Sequence, residues 1–294
     1  MIKTLQAADN DFLSDHMIGD NAVLPTVCAI AWMADAAESI FSGYQFHGLE
    51  NYKLFKGVVF DGAEATDYQI DVKVVEQKVS DSSPYLKLDS KISSLNAKGK
   101  PVFHYGSELL LKPTSKNLPL ADVKLANTKS INGKAADEAR QLYTNGTLFH
   151  GESLQGIQEI ITCDVKGLLL SCQVPEVAMN KQGDFPLHRH NIFANDLVYQ
   201  AMLVWVRKQL SMGSLPSSTK SWTSYQQVKP NEMFYLQLKV VEQASTKLIA
   251  DISLISEDKK LLAEIKSAEV TVSENLNDLF KPRSASLQEK ISGL

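Results

Sequence analysis

Cysteine is scarce in this sequence. The 294 residues contain three, Cys28, Cys163 and Cys172, with no metal-ligand spacing between any two. An odd count without such spacing excludes a disulfide framework and a paired-cysteine zinc site. Positive charge is not in excess either: 30 Lys and Arg stand against 34 Asp and Glu, for a net charge of -4. A chain that neutralises a phosphate backbone needs the opposite balance, so nucleic acid is not an expected partner. Long apolar runs are also missing. The most apolar stretch, Ala22 to Ala37, is interrupted by Pro25, Thr26 and Asp35, and is shorter than the ~20 residues of a membrane-spanning helix. Met1-Ile2-Lys3-Thr4 opens into a polar stretch with no apolar segment of a secretory signal behind it. The expectation is a reducing, cytoplasmic setting with no membrane partner, in which the Asn145-Gly146-Thr147 sequon is accidental. No GxGxxG, P-loop, GxSxG, CxxC or HExxH pattern occurs. Nucleotide cofactors, a serine-hydrolase elbow and a bound metal therefore have no support.

What is present is a repeat. Lys73-Val74-Val75-Glu76-Gln77 recurs unchanged as Lys239-Val240-Val241-Glu242-Gln243, 166 residues later. Alternating apolar and polar residues lead into both copies, Tyr68 to Val72 and Tyr235 to Leu238, the period of a strand with one buried face. Further on, Ile92 to Leu95, a polar turn at Lys98-Gly99-Lys100 and Val102 to Leu111 match a second set. Its parts are Ile252 to Ile255, a turn at Glu257 to Lys260, and Leu262 to Val272. Each set reads as a hairpin. Two matched segments in the same order argue for internal duplication.

A helix candidate precedes each strand set. The first, about Leu24 to Phe41, has almost no polar face. The second, about Asn195 to Leu210, is apolar until Arg207-Lys208, with Gly213 and Pro216 read as its stop. A helix apolar nearly all round needs a sheet wrapped about it. The expected fold is therefore α+β, a double hotdog: two tandem units, each a curved antiparallel sheet around a central buried helix. Its expected parts are an N-terminal hotdog over 1–113, a linker over 114–138, a C-terminal hotdog over 139–280 and a tail over 281–294. The tail region from Glu274 onward is polar and expected to fray.

Six histidines are present, and sequence context singles out His16, which lies just before the first helix with Pro25 at the helix start. Asp196 lies at the start of the second helix. Asn195 or Asp196 there suits an N-cap. Gln200, four residues on, shares a helix face with Asp196 and can orient its carboxylate. A carboxylate set against an apolar helix start has its pKa raised and can stay protonated as an acid. Ala29, Ala34, Ala36 and Ala37 keep one helix slim, either for an acyl tunnel or for close helix–sheet packing.

His16 and Pro25, with Gly19 between them, and Asp196 with Gln200 together resemble the HxxxGxxxxP and DxxxQ patterns of the dehydratase domains of polyketide synthases. Phe149 to Ile157 falls where that family has its YGPxF segment, with His150, Glu152 and Leu154 in place of Tyr, Pro and Phe. Leu215-Pro216 follows the second helix as a similar segment does in the family. Asp20 stands where the family has glycine. The resemblance covers about Asp11 to Val272, and the departures imply a divergent branch of the family, the dehydratases of bacterial polyunsaturated-fatty-acid synthases being one similar group. It implies elimination of water from a 3-hydroxyacyl thioester carried on an acyl carrier protein. His16 would be base and Asp196 acid, supported by Gln200, Pro25 and Gly19. Val23, Leu24, His150 and Gly151 are candidates for the substrate tunnel or for oxyanion donors. The implied cofactor set is empty, the phosphopantetheine arm belonging to the carrier. Implied partners are that carrier protein and neighbouring domains of a synthase, with a homodimer left open. Lys181, Arg189, Arg207 and Lys208 are candidates for meeting an acidic carrier. The competing readings are a non-catalytic acyl-binding double hotdog and a product-template-type cyclase with the same His/Asp pair. A thioesterase is disfavoured, since it needs a water placed at the carbonyl.

Overall fold

The computed structural model describes residues 1–62, 65–79, 84–114, 120–125, 134–174, 176–186 and 190–280. In chain order the elements are β1 (Ile2–Leu5), β2 (Met17–Ile18), β3 (Asn21–Val23), α1 (Thr26–Ile40), β4 (Tyr44–Leu54), β5 (Val59–Phe60), β6 (Thr66–Lys78), β7 (Tyr85–Leu95) and β8 (Pro101–Pro113). Then come α2 (Lys134–Thr144), β9 (Ile157–Asp164), β10 (Gly167–Gln173), α3 (Ile192–Leu210), β11 (Gly213–Ser224), β12 (Met233–Gln243), β13 (Lys247–Ser256), β14 (Leu261–Ser273) and α4 (Leu276–Leu279).

Eleven strands form one antiparallel sheet in the order β1-β6-β7-β8-β4-β11-β14-β13-β12-β10-β9. The first half of the chain supplies the strands from β1 to β4 and the second half those from β11 to β9. The halves join where β4 pairs with β11, from Gly48 opposite Thr223 to Lys53 opposite Ser218. Each half wraps one apolar helix. Val27, Cys28, Ala29, Trp32, Met33, Ala36 and Ala37 of α1 are buried, as is α3 from Ile192 to Val206 apart from Asn195. Burying each large apolar side chain contributes roughly 1.5–3 kcal/mol, which is how helices without a polar face are held. This is the double hotdog that the sequence predicts. No described helix is long and apolar enough to cross a membrane.

The identical pentapeptides build the same irregularity. On β6, Val74 pairs with Leu88 and Glu76 with Lys87, so Val75 is an extra residue. On β12, Val240 pairs with Ala250 and Glu242 with Ile249, so Val241 is extra. Both are β-bulges, which bend and twist a strand. Val75 and Val241 are consequently turned to solvent, 50% and 56% exposed.

Several boundaries differ from expectation. α3 starts at Ile192, not Asn195, because Asn191 caps it by accepting from the Ala194 amide at 3.0 Å. Asp196 is therefore inside the helix and caps nothing. Gly213 and Pro216 do not end α3: both lie in β11, and the helix ends at Ser211, which adopts a left-handed conformation. The segment read as a linker, 114–138, contains the start of helix α2, which runs on into the region read as the C-terminal hotdog and there buries Ala139 and Leu142. Its Asp122 also bridges to Lys260. The tail reading fails up to Phe280, which is 1% exposed and stacks on Phe149 at 4.8 Å; residues 281–294 lie outside the described residues.

Gly48 sits at the seam between the halves. A Cβ there would lie 2.3 Å from the carbonyl oxygen of Trp222, a backbone atom that cannot yield. Gly48→Ala should lower stability by on the order of 1–3 kcal/mol, measured as a reduced denaturant midpoint.

Candidate active site

The first half contributes an imidazole. Asp11–Asp15 form a 3-10 turn that ends on His16, whose amide donates to Leu13 O at 3.1 Å. β2 and β3 form a small hairpin turned at Gly19, where φ is +62°. The hairpin returns Val23 over the histidine: Val23 N donates to His16 O at 3.0 Å, and His16 Nδ1 lies 2.7 Å from Val23 O. A carbonyl only accepts, so Nδ1 carries the proton and Nε2 is the bare, basic nitrogen. Among the described residues Nε2 has no hydrogen-bond partner. Burial holds the His16 pKa below its ordinary value against an upward pull from Asp196, so the ring is neutral at neutral pH.

The second half contributes a carboxyl group. Asp196 lies on the second turn of α3, 3% exposed. Gln200 Nε2 donates to Asp196 Oδ2 at 2.9 Å and to Leu154 O at 2.9 Å. Gln200 Oε1 accepts from Tyr143 Oη at 3.0 Å, and Tyr143 Oη in turn accepts from the Ile157 amide at 3.1 Å. The carboxyl is thus aimed through a bonded chain that starts on α2. Burial pushes its pKa up, against downward pulls from His16 and Gln200.

His150 completes the cluster. It pairs with His16 in an isolated antiparallel bridge, with ring centroids 5.3 Å apart. Its Nε2 lies 3.3 Å from Asp196 Oδ2. Burial, and then the neighbouring His16, drive its pKa well below the ordinary value. Asp15 holds this segment: its carbonyl accepts from Gly151 N at 2.8 Å and its Oδ2 from Ser153 N at 2.9 Å. A Cβ on Gly151 would lie 2.0 Å from Asp15 Oδ1, so the close approach requires glycine.

These groups line one cavity of about 270 Å³. Its remaining wall is apolar and includes Val23, Leu24, Leu54, Phe149, Leu203, Leu215 and Pro216, with Thr26, Tyr105, Tyr199 and Ser214 as polar members. Atoms of His16, His150 and Asp196 able to ligate a metal lie within 4.8 Å of one another. A second such group is Asp35, Glu38 and His190, of which Glu38 and His190 line another cavity of about 260 Å³ between the halves. That cavity is the counterpart of the first. Gln45, Phe46 and His47 line it, each 169 residues before Ser214, Leu215 and Pro216 of the first cavity. α3 begins 166 residues after α1, which puts Ile30 at the place of Asp196. The duplicated cavity has an apolar residue where the first has its carboxyl.

The amides of Val23 and Leu24 are not free for an oxyanion. Val23 N donates to His16 O, and Leu24 N donates to Val58 O at 2.9 Å. Gly151 N is engaged by Asp15, as above. Val23, Leu24 and His150 line the cavity, whereas Gly151, Gly19 and Pro25 do not. Pro25 is the residue immediately before α1 and Gly19 makes the hairpin turn. Ala29, Ala34, Ala36 and Ala37 are buried in the core and line no part of this cavity, so they serve packing and not a tunnel. Arg207 bonds Asn277 and lies over Phe280, and Lys208 pairs with Glu138; both are engaged within the chain. Lys181 lies on a short 3-10 turn at a surface groove, and Arg189 lies outside the described residues. Asp15, Thr26, Tyr143 and Tyr199 were not singled out by the sequence. Asp15 is adjacent to His16 in the chain, whereas Tyr143, on α2, lies in no motif and carries no sequence signal.

The chain is similar to known proteins along most of its length. A family model described as polyketide synthase dehydratase N-terminal domain matches residues 132–279, half of the chain, and one described as polyketide synthase dehydratase domain matches residues 1–83. The chain is 28% identical over 239 residues to a polyunsaturated fatty acid synthase subunit of Thraustochytrium sp. (strain ATCC 26185 / S-3), covering 81% of this chain but 8% of that protein. Among solved structures, the dehydratase domain from the CurF module of curacin polyketide synthase superposes with a TM-score of 0.70 at 17% identity, covering 92% of each chain. Inactive mutants of the CurK dehydratase, one with a histidine changed to phenylalanine and one with an aspartate changed to asparagine, also superpose with TM-scores of 0.70. They are 17% and 16% identical, respectively, and the match covers 95% of this chain and 93% of theirs. The chain belongs to the polyketide synthase dehydratase family.

Proposed function

We propose that this chain eliminates water from a 3-hydroxyacyl thioester tethered to an acyl carrier protein, giving a 2-enoyl thioester, with His16 as base and Asp196 as acid. One observation carries the reading: a neutral imidazole with a bare Nε2 and a buried carboxyl of raised pKa share one largely apolar cavity. His16 Nε2 takes the proton from the carbon next to the thioester carbonyl. The electron pair of that C–H bond becomes the new carbon–carbon double bond as the bond from the β-carbon to its hydroxyl breaks. Asp196 supplies the proton with which the hydroxyl leaves as water, and the proton on His16 restores Asp196 or passes to solvent. Each positioned acid or base contributes typically 10²–10⁴-fold.

Charge builds on the thioester oxygen as the C–H bond breaks. With Val23 and Leu24 engaged, the donors that remain at this helix end are the first-turn amides of α1, Thr26 and Val27, where the helix dipole is positive. Thr26 lines the cavity. The substrate reaches the site on the carrier's phosphopantetheine arm, and the chemistry requires no cofactor of the chain's own. The inactive CurK mutants, changed at a histidine or an aspartate, support this pairing. The Thraustochytrium relative supports a place among further synthase domains, a cytoplasmic one on this reading.

The test is mass spectrometry of carrier proteins loaded with 3-hydroxyacyl chains of varied length. Loss of one water in the presence of this protein is expected. Tight binding with no water lost from any chain overturns the reading in favour of an acyl-binding module, and ring closure of a poly-β-keto chain in its place overturns it in favour of a cyclase.

A further inference from the structure

His150 is the one member of the buried cluster to which neither base nor acid work has been given, and its environment fixes how its proton is placed. The side chain is 5% exposed. Its Nδ1 is buried with no hydrogen-bond partner. A proton on Nδ1 would be a buried donor without an acceptor, costly in a dry site, whereas a bare nitrogen lone pair is tolerated better. The proton is therefore on Nε2, and Nε2 lies 3.3 Å from Asp196 Oδ2. That same oxygen already accepts from Gln200 Nε2 at 2.9 Å. Oδ1 takes no hydrogen bond from the described residues.

We propose that His150 is a positioning residue for Asp196: as a neutral Nε2–H donor it joins Gln200 in holding Oδ2 as the acceptor oxygen, which leaves the acidic proton on Oδ1 for delivery to the leaving hydroxyl. The consequence is twofold. The acid works through one oxygen in a fixed orientation, so no rotation of the carboxyl precedes transfer. Once the proton has left, two donors stabilise the carboxylate that remains. Removing His150 should make Asp196 a weaker acid with a higher pKa.

The groups facing Asp196 are few enough for this to be read out. They are His16 before α1, Cys28 on α1, Tyr143 on α2, Tyr199 on α3 and His150 itself. Burial raises the pKa of Cys28, Tyr143 and Tyr199, so they stay uncharged around neutral pH. The two imidazoles and the carboxyl are left as the titrating members of the group.

The kinetic arm of the test rests on the dehydratase reading, and the spectroscopic arm does not. His150→Phe keeps the ring stack on Phe149 but removes the donor; His150→Gln places an amide N–H near the position of Nε2. In ¹³C NMR of carboxyl-labelled protein, the Asp196 pKa should rise in His150→Phe and stay close to wild type in His150→Gln. With a turned-over 3-hydroxyacyl carrier substrate, kcat should fall about tenfold to a hundredfold in His150→Phe with KM little changed, and be largely restored in His150→Gln. The alkaline limb of the pH profile, where the acid loses its proton, should move up in the Phe variant. An Asp196 pKa unchanged or lowered in His150→Phe overturns the proposal, as does equal loss in the Phe and Gln variants when both melt like wild type. If wild type itself turns nothing over, the dehydratase reading fails and the NMR titration still decides the role of His150.

Discussion

Asp196→Asn should reduce kcat for water elimination by about 10²–10⁴-fold, the share a single positioned acid supplies. The substitution is nearly isosteric. Asparagine keeps an oxygen to accept from Gln200 Nε2, which now bonds Oδ2 at 2.9 Å, so the Tyr143–Gln200 chain survives. What is lost is the ability to give up a proton: an amide can donate a hydrogen bond to the departing hydroxyl but cannot protonate it. KM should therefore change little while kcat collapses, the pattern of an interaction made in the transition state. Stability should not fall. The folded-state pKa of Asp196 is raised mainly by burial. Such a group supports folding below the unfolded carboxyl pKa, and that support is lost as pH rises through the folded value. Asparagine has no charge to desolvate and is spared the loss. One further sign is specific. Asp196 lifts the pKa of His16, so the acidic limb that remains in the variant should shift to lower pH. Turnover like wild type, in protein with an unchanged melting curve, would refute the acid assignment.

The parts of this protein that are legible in its sequence are those governed by period. The strands β6, β12 and the two hairpins announce themselves by alternation, and the buried helices by the absence of a polar face. The repeat then tells that one arrangement is built twice. The pentapeptide Lys-Val-Val-Glu-Gln is visible as an identity, but its structural content, a bulge at Val75 and Val241, depends on partner strands that no local pattern names. The site divides the same way. His16, Asp196 and Gln200 stand out because they sit at fixed offsets around helix starts, and Gln200 follows Asp196 by one turn. Val23, Leu24 and Gly151 attract attention as free amides for the same local reason. They are not free, because their acceptors, His16 O, Val58 O and Asp15 O, come from folding contacts. α2, short and mostly polar, carries no motif, and Tyr143 at its end gains meaning only through Gln200, which it orients from another element. Ile30 shows the converse. It is an ordinary core residue in the sequence, and it has meaning only beside Asp196, as the reason one of two duplicated cavities carries no acid.

His16→Phe should be as damaging as the aspartate change, by about 10²–10⁴-fold in kcat, but through the other half of the reaction. The phenyl ring fits where the imidazole packs edge-on to Phe149, at 5.1 Å between centroids. The carbonyl of Val23 loses the Nδ1–H at 2.7 Å, so a modest loss of stability, on the order of 1 kcal/mol, accompanies the change. In wild type the base works only when neutral. Burial lowers its pKa from 6.5, partly opposed by Asp196. Activity should therefore hold down to below pH 6.5 and fail only at more acidic values. On the alkaline side it fails as Asp196 ionises. The two groups face one another, so the limbs report the pair holding one proton rather than either residue alone. The two variants separate on a substrate that cannot lose water. With a saturated acyl carrier thioester in deuterium oxide, exchange of the hydrogens next to the carbonyl needs a base and no leaving group. Wild type and Asp196→Asn should both incorporate deuterium at that carbon, and His16→Phe should not. Exchange persisting in His16→Phe would move the base elsewhere in the cavity, and His150, whose ring lies 5.3 Å from His16, would be the residue to test next.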